Sequence, residues 1–482
     1  MTTQPIAHTP KLRDRTVGAI ADERLGRALV NATDTFDERR DLAFVAMADP
    51  SATKELARSI RADVLSRLPE LLEQFADKVL AAGGHVCWAR TADEARAYVQ
   101  AVAARRGATK VVKGKSMLSE EIELNAALEG DGIEVTETDL GEWIIQVANE
   151  TPSHIIVPAI HRDRGQIRDA LQRVATGDPP TRPATLGSPS ASLSDVPEAL
   201  AAFAREQLRA KFLEADIGIT GVNFGVASTG SMVLVTNEGN GRLTSSVPPV
   251  HIALMGMERV VADWEQLDVL LALLPRSATG QAVTTYVSTI TGPRRDGERD
   301  GPEEFHVVIV DNGRSHVAGS EFAEMLNCIR CGACLNVCPV YRQVGGHAYG
   351  WVYSGPMGAV LTPLFAHEEH ETANELANAS SLCGACWEAC PVGIPLQDLL
   401  LAQRRKNAHD ARPSEQSAWS AWAQTWSRTG TYWASLRAGS AAHRLLGPRL
   451  ARLPGAKNWA TGRTLPTPAK VSFRDAWRRG DR

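Results

Sequence analysis

The sequence predicts a doubly wound α/β domain, followed by a small all-α domain and a helical C-terminal tail. Strand-like and helical segments alternate along most of the chain, which is typical of a parallel sheet covered on both faces. Seven of the eight cysteines then fall into two short groups, and the chain ends in basic, Trp-rich helical sequence. We therefore predict an N-terminal arm (residues 1–50), an α/β domain (51–315), an all-α domain (316–402) and a tail (403–482).

The composition fits a folded protein of several domains. The chain has 482 residues, of which 44% are apolar and 22% charged, enough for a sizeable core. No apolar stretch reaches the roughly 18 to 20 residues that span a bilayer, and the N-terminus lacks a signal-peptide pattern. Clustered cysteines favour metal ligation in a reducing compartment over a disulfide scaffold. We expect a cytoplasmic protein.

The α/β domain can be divided into elements from its hydrophobic pattern. Apolar residues at helical spacing predict one long helix over residues 52–82, which ends at two glycines. Thr91 and Glu94 predict a capping box at the start of the next helix. The pattern predicts strands over residues 85–89, 110–112, 133–137, 154–158, 217–220, 227–228, 231–236, 282–289 and 305–310, and helices over 92–107, 119–128 and 196–215.

Two polar turns in this domain are candidate ligand sites. Residues 113–116 place lysines and a serine at a strand-to-helix turn that can bind an anion, without P-loop spacing. Residues 218–242 are rich in Gly, Ser and Thr, which allows a ligand to approach the backbone closely. The alternative is that both are tight turns between strands. No dinucleotide fingerprint lies in a convincing strand–turn–helix context, so we expect hydride chemistry to need a partner.

The first cysteine group has the spacing of a ferredoxin-type iron–sulfur motif. The order C-x2-C-x2-C-x3-C-P lets three thiolates on a tight loop bind one cluster, while the fourth binds the other cluster of a pair. A zinc site is the alternative, but zinc prefers paired C-x2-C knuckles with a longer spacer. The motif consists of Cys328, Cys331, Cys334, Cys338 and Pro339.

The second group, Cys383, Cys386 and Cys390, has one cysteine fewer. Aligned from its Cys-Pro end, it places Ser380 where the first group has Cys328. Crossed ligation then predicts two clusters, the first bound by Cys328, Cys331, Cys334 and Cys390 and the second by Cys338, Cys383 and Cys386. The second is either [3Fe–4S], or [4Fe–4S] with Ser380, water or a partner group as its fourth ligand. Two adjacent clusters typically pass single electrons.

Other cluster chemistries fit the sequence less well. A radical enzyme that uses S-adenosylmethionine needs a C-x3-C-x2-C motif, which is absent. A structural cluster in a nucleic-acid enzyme is possible, but two adjacent clusters favour electron transfer, and we expect no nucleic-acid partner. The segment between the cysteine groups resembles the α-helical ferredoxin module in the iron–sulfur subunits of succinate dehydrogenase and fumarate reductase.

Several segments together resemble the lactate utilization protein B family, the iron–sulfur subunits of a bacterial L-lactate-oxidising system. The resemblance extends over roughly residues 20–480. The matching segments are Glu142–Gln146, Gly221–Ser231, Glu238–Arg242, Tyr349–Pro363 and Ser472–Trp477.

The resemblance implies an electron-transfer subunit that acts in the oxidation of L-lactate to pyruvate. It implies two [4Fe–4S] clusters on the seven cysteines, and the family pattern too lacks the eighth cluster cysteine, at the position of Ser380. It also implies sister subunits similar to lactate utilization proteins A and C. It also implies an α/β domain similar to the sugar-phosphate isomerase and CoA-transferase-like superfamily. In this comparison, Glu238 resembles the acidic residue of CoA-transferase-like sites. The residues alone leave open a self-contained hydroxy-acid oxidoreductase, with Lys113, Lys115 and Arg242 holding the acid, or an iron–sulfur redox sensor.

The tail is strongly basic. Residues 401–482 contain 16 Lys or Arg and four Asp or Glu, a local charge of +12. Such a segment pairs with an acidic partner subunit, an anionic membrane surface, nucleic acid or the acidic body of its own chain. Four tryptophans, Trp419, Trp422, Trp426 and Trp433, have the spacing of one helical stripe. We expect the stripe to pack over the cluster domain, with partner docking or an interfacial membrane helix as alternatives.

Overall fold

The computed structural model describes residues 10–176, 193–365, 371–409, 413–452, 467–469 and 471–480. The chain forms two compact units, Met1–Arg404 and Arg405–Arg482. The first contains two sheets, most of the helices and both cysteine groups. No helix of the described ranges is long and apolar enough to span a membrane.

The described part of the chain begins with four helices: α1 Leu12–Ala21, α2 Glu23–Val45, α3 Pro50–Ser66 and α4 Leu68–Ala81. The six strands of the main sheet are β1 His85–Ala89, β2 Lys110–Lys113, β3 Glu134–Glu137, β4 Ile217–Gly221, β7 Val250–Gly256 and β10 Glu304–Val310. The strands of the small sheet are β5 Phe224–Val226, β6 Ser231–Thr236, β8 Val260–Val261 and β9 Tyr286–Ile290. The helices between strands are α5 Ala92–Arg106, α6 Met117–Glu121, α7 Leu124–Gly130, α8 Leu140–Ala148, α9 Arg164–Thr176, α10 Pro197–Glu214, α11 Asn240–Ser246 and α12 Trp264–Thr279.

The main sheet is parallel throughout, with the order β1-β10-β7-β4-β2-β3. Alternate residues of the central strand β7 face opposite sides of the sheet. Ile252 and Leu254 belong to the core that includes α5 and α7, whereas Ala253 and Met255 belong to the core that includes α3, α4 and α12. Both faces are therefore covered by helices, and the predicted doubly wound α/β architecture is confirmed.

The small sheet was not predicted. Its order is β8-β5-β6-β9, with β6 antiparallel to both of its neighbours and β8 parallel to β5. The predicted strand over 227–228 is wrong, because β5 ends at Val226 and the next two residues form a turn.

Two predicted helices are interrupted. The helix expected over 52–82 breaks at Arg67, and α4 carries Pro69 in its first turn, where the missing N–H costs no intrahelical bond. The helix expected over 119–128 breaks at Glu123, whose φ of 53° is left-handed. Thr91 caps α5 by accepting from the Glu94 N–H, but the Glu94 carboxylate accepts from the Arg90 N–H, so the capping box is only half formed.

The segment 154–158, predicted as a strand, is a loop. The His154 ring bends it, because Nδ1 accepts hydrogen bonds from the N–H groups of Ile156 and Val157 at 3.0 and 3.2 Å. The loop contacts the cysteine domain: Tyr341 Oη donates to the Ser153 carbonyl at 2.9 Å. Ile155 and Ile156 lie beside Gly332 of the first cysteine group.

The cysteine-bearing part of the first unit is built of short helices. They are α13 Arg314–Ala318, α14 Ala333–Asn336, α15 Tyr341–Val344, α16 Gly355–Phe365, α17 Glu371–Asn374, α18 Ala385–Ala389 and α19 Leu396–His409. Short 3₁₀ segments of the first unit lie at Met257–Arg259, Ala323–Asn327, His347–Tyr349 and Glu375–Asn378, and Gly447–Arg452 is a 3₁₀ segment of the second unit. The buried Leu29 of α2 lies against Gly345, so the predicted N-terminal arm packs into this unit. The four-segment domain division stays a prediction.

The second unit contains α20 Pro413–Ser427, α21 Thr429–Leu446 and α22 Phe473–Arg479. Trp419, Trp422 and Trp426 lie on α20, exposed and in ring contact with one another. The helix α20 ends at Ser427 and α21 begins at Thr429, so Trp433 lies on α21. The expected single stripe is thus divided between two helices, and its packing over the cluster domain stays a prediction.

Candidate iron–sulfur centre and adjoining cavity

Four thiols from the two cysteine groups line one small, otherwise mainly apolar cavity of about 20 Å³. They are Cys328, Cys331, Cys334 and Cys390. Cys328 and Cys331 come from the loop that leads into α14, Cys334 lies on α14, and Cys390 follows α18, which packs against α14. The structure therefore brings together the four residues that crossed ligation assigns to the first cluster.

The other three cysteines form a second set. Burial first, and then the neighbouring Cys338 and Cys383 thiols, raise the pKa of Cys386 to about 12. Cys338 and Cys386 are buried, and Cys383 is exposed. Ser380, the candidate fourth ligand, accepts a hydrogen bond from the Leu382 N–H at 3.1 Å through its hydroxyl oxygen.

Both sets fit iron–sulfur clusters. Backbone N–H groups point at sulfur in each: those of Arg330, Tyr341 and Ile394 lie 3.4, 3.5 and 3.4 Å from Cys328, Cys338 and Cys390 Sγ, respectively. Such bonds stabilise thiolates and tune cluster potentials. No three or more His, Cys, Asp or Glu side chains in the described ranges are arranged to hold a single metal ion. In a cluster, by contrast, the thiolates bind different irons.

The two motifs share a local turn. Gly332 and Gly384 both have a left-handed φ, 78° and 86°, and each precedes a short helix that carries a cysteine. A side chain at Gly332 would also lie 3.1 Å from the His154 ring. The remaining cysteine, Cys87, lies on β1 in the main sheet.

A network of arginines and buried glutamates lies beside the first thiol set, and one of its arginines, Arg314, is fully buried. Each nitrogen of the Arg314 guanidinium donates to an oxygen: Nε to Glu258 at 2.8 Å, and Nη1 and Nη2 to Glu121 at 2.9 and 2.8 Å. Tyr353 Oη donates to Glu121 at 2.6 Å. Burial alone would raise the pKa of Glu258, but the arginines, Arg314 first, lower it to about 2. Glu258 therefore stays ionised.

Two other arginines of the network have fewer acceptors. Arg330 Nη1 donates to Met357 Sδ at 3.3 Å, and its Nη2 lies 3.6 Å from a Glu258 oxygen. Arg259 Nη1 donates to the Cys328 carbonyl at 3.4 Å, and its Nε lies 3.9 Å from Glu258. Both side chains line a second, larger cavity.

This larger cavity has a volume of about 410 Å³ and lies where three parallel strands end. Its walls include residues 114–118 after β2, 220–223 at the end of β4 and Gly256 at the end of β7. β2 and β4 are neighbours in the sheet. From β2 the strand order continues to β3 at one edge, and from β4 it continues to β7 in the opposite direction, so the strand order reverses between β2 and β4. Ligands of doubly wound folds bind at such a reversal, outside the carboxyl ends of the strands.

Of the three residues predicted from the sequence to hold the acid, only Lys115 is part of the cavity wall as described. Lys113 is buried in ion pairs with Glu120 and Glu137, both at 2.8 Å, and is not part of the cavity wall. Arg242 stacks over the Tyr286 ring and is not part of the wall either. Lys115 does line the cavity, where its Nζ is bonded to the Ile156 carbonyl.

Glu238 also lines this cavity, and burial first, then Asp139, raises its pKa. Sequence reasoning missed Arg259 and Arg330 as site residues. The position of Arg330 inside the first cysteine motif is a signal that could have identified it. The loop 154–158 forms a shared wall, since Ile155 lines both the thiol cavity and the larger one.

Three family profiles match consecutive parts of the chain. One described as LUD domain matches residues 72–310, one described as 4Fe-4S dicluster domain matches 324–394, and one described as lactate utilisation protein B, C-terminal, matches 403–481. The dicluster match contains all seven clustered cysteines, which supports iron–sulfur clusters as the cofactors.

Relatives named lactate utilization protein B match nearly the whole chain. The Shouchella clausii protein is 49% identical over 431 residues, 88% of this chain and 87% of its own length. The Bacillus licheniformis protein is 46% identical over 475 residues, 97% and 96% of the two chains. A solved structure of a DUF162 family protein from Deinococcus radiodurans is 16% identical, with a TM-score of 0.26, over 50% of this chain and 98% of its own.

Proposed function

The chain belongs to the lactate utilization protein B family, and from this premise we propose that it is the iron–sulfur electron-transfer subunit of a complex that oxidises L-lactate to pyruvate. The observation that carries the proposal is the shared thiol cavity, in which Cys390 from the second motif stands with three cysteines of the first. Crossed ligation of this kind places two clusters side by side, the arrangement of a single-electron path.

The cofactors we propose are two [4Fe–4S] clusters. Cys328, Cys331, Cys334 and Cys390 would hold the first, and Cys338, Cys383 and Cys386 the second, with a non-cysteine fourth ligand or a [3Fe–4S] core as alternatives. When bound, each cluster supplies one-electron acceptance and release.

The protein's own contribution is to keep the thiols ready for iron. Burial raises the pKa of Cys331 and Cys334 above that of a free thiol, so an empty site favours protonated sulfur. For Cys331, a hydrogen bond from the Ala333 N–H and the charge of Arg40 oppose this rise in pKa. The same groups stabilise the negative charge of a thiolate-bound cluster, and the apolar wall excludes water.

Oxidation of lactate to pyruvate releases two electrons and two protons, whereas each cluster accepts one electron. We therefore propose that sister subunits similar to lactate utilization proteins A and C supply the two-electron step. We also propose a cytoplasmic location, because free thiols of this kind persist in a reducing compartment, and a fold relationship of the α/β domain to the sugar-phosphate isomerase and CoA-transferase-like superfamily. Peripheral membrane contact through the basic tail is a further proposal.

A second candidate is a self-contained hydroxy-acid oxidoreductase. The larger cavity favours it, because this cavity adjoins the first thiol set through Ile155 and Arg330.

One experiment separates the two candidates. The chain is purified anaerobically, its iron content and both cluster signals are recorded by electron paramagnetic resonance (EPR), and L-lactate is added with and without the sister proteins. We expect cluster reduction only when the sister proteins are present. Reduction by lactate alone would instead support the self-contained enzyme, and no reduction in either case would contradict both candidates.

A further inference from the structure

We propose that the larger cavity binds a small organic acid through its carboxylate, that Arg259 and Arg330 hold this carboxylate, and that 2-hydroxy and 2-oxo acids are the class accepted. The choice of acid rests on the proposed function, whereas the site rests on the geometry of the cavity. Its volume, about 410 Å³, lies in the range of small-molecule sites.

The hydrogen bonding of the arginines identifies the end of the cavity that receives an anion. In Arg314 every nitrogen has an oxygen acceptor. Among the described residues, the Arg330 guanidinium has one hydrogen-bond acceptor, the Met357 thioether, although it carries five N–H donors. Arg259 has one, a carbonyl at 3.4 Å. Both side chains line the cavity, so their remaining N–H groups are open to a further oxygen ligand.

The local charge points the same way. Among the described residues, Arg259, Arg314 and Arg330 share two carboxylates, Glu121 and Glu258, which leaves one positive charge in excess. Buried Arg61 adds another, and it is bonded to three backbone carbonyls. The thiolates of the first cluster and a bound monocarboxylate are the anions that would balance this charge. Arginine suits a carboxylate because two parallel N–H groups can bind its two oxygens.

The other charged groups of the cavity leave the carboxylate one preferred place. Glu238 and Asp139 also line the wall and repel an anion. Lys115 lies near Glu238, whose negative charge offsets that of its ammonium. An acid therefore directs its carboxylate toward the arginines and its hydroxyl or oxo group into the rest of the cavity.

This arrangement places the ligand next to the first cluster. The Arg330 side chain lines the cavity, while its backbone N–H donates to Cys328 Sγ at 3.4 Å. A carboxylate that draws the Arg330 guanidinium toward itself changes the charge beside Cys328. The cluster signal should therefore report binding, even without turnover.

The test uses the full-length, iron-loaded protein under anaerobic conditions and needs no sister subunit. Equilibrium dialysis with radiolabelled pyruvate and L-lactate should show saturable binding, and pyruvate should shift the EPR signal of the reduced first cluster. Arg330→Gln and Arg259→Gln should each weaken binding at least about tenfold, because each removes hydrogen bonds to a charged group. Arg242→Gln, outside the cavity, should bind like the parent protein.

A ligand-side comparison does not depend on how the variants fold. Lactamide, the neutral amide of lactate, should bind at least about tenfold more weakly than lactate. Absence of pyruvate and lactate binding, equal binding of lactamide, or an Arg330→Gln protein with full iron that binds like the parent would overturn the proposal. So would binding of inorganic phosphate or flavin mononucleotide in place of the acids. Binding without electron transfer in the complex would contradict the proposed function and leave this site standing.

Discussion

Replacing Glu258 with Gln should destabilise the first compact unit by removing the carboxylate that three arginines share. Glu258 is buried, and its oxygens lie 2.8, 3.6 and 3.9 Å from nitrogens of Arg314, Arg330 and Arg259. Breaking one partner of a buried ion pair costs about 3–5 kcal/mol, because the remaining charges stay buried and uncompensated. The pKa shift of Glu258 corresponds to a free energy of similar size, since lowering the pKa from 4.5 to about 2 is worth roughly 3 kcal/mol.

The pH dependence has a definite sign. The pKa of Glu258 is lower in the folded protein than in the unfolded chain, so its contribution is fully present above pH 4.5 and disappears as the pH falls toward 2. The Glu258→Gln protein should therefore lose about 3 kcal/mol at pH 7 and should lack this part of the acid sensitivity.

The assay is urea unfolding of the anaerobically purified chain, followed by circular dichroism between pH 7 and pH 3. The matched control is Glu94→Gln, which breaks an exposed ion pair with Arg90 and should change stability little, because exposed pairs are screened by water. If Glu258→Gln behaved like this control at pH 7, the shared-carboxylate explanation of the network would be wrong.

Three further results are expected. Gly346→Ala should prevent the cysteine region from packing, seen as proteolytic sensitivity, because a Cβ there would lie 1.8 Å from the Ser153 carbonyl oxygen. Cys390→Ser should remove the first cluster's EPR signal and lower the iron content. Burial, with a smaller contribution from His306, lowers the pKa of His251 to about 3, so its stabilising effect is present above pH 6.5 and should decline by about 1.4 kcal/mol per pH unit below it, as measured by unfolding.

Matched variants make these results decisive. Gly239→Ala places its Cβ in open space and should resist protease like the parent. Cys87→Ser, on β1, should keep full iron, and equal iron in Cys390→Ser would exclude the latter as a ligand. A His251→Gln protein should show a flatter loss of stability below pH 6.5, and an unchanged slope would mean that His251 is not the group responsible.

The sequence by itself determined the features that depend on neighbouring residues. The cysteine spacing indicated the cluster motifs, since three ligands of one cluster lie on one loop. The alternation of strands and helices indicated the parallel sheet. β7 was missed because a strand buried on both faces, here Val250–Gly256, lacks the polar–apolar alternation that identifies exposed strands.

Only the tertiary structure decided what surrounds the candidate ligand. Lys113 and Lys115 look equivalent in sequence, yet Lys113 is the last residue of β2 and pairs with Glu120 and the buried Glu137, while Lys115 lines the cavity. Arg259 and Arg330 are far apart in the sequence, and only the fold brings both of them to the wall of the larger cavity. The loop 154–158 has the apolar run of a strand, yet in the folded chain the His154 ring bends it through hydrogen bonds from Ile156 and Val157, and it separates the thiol-lined cavity from the larger one.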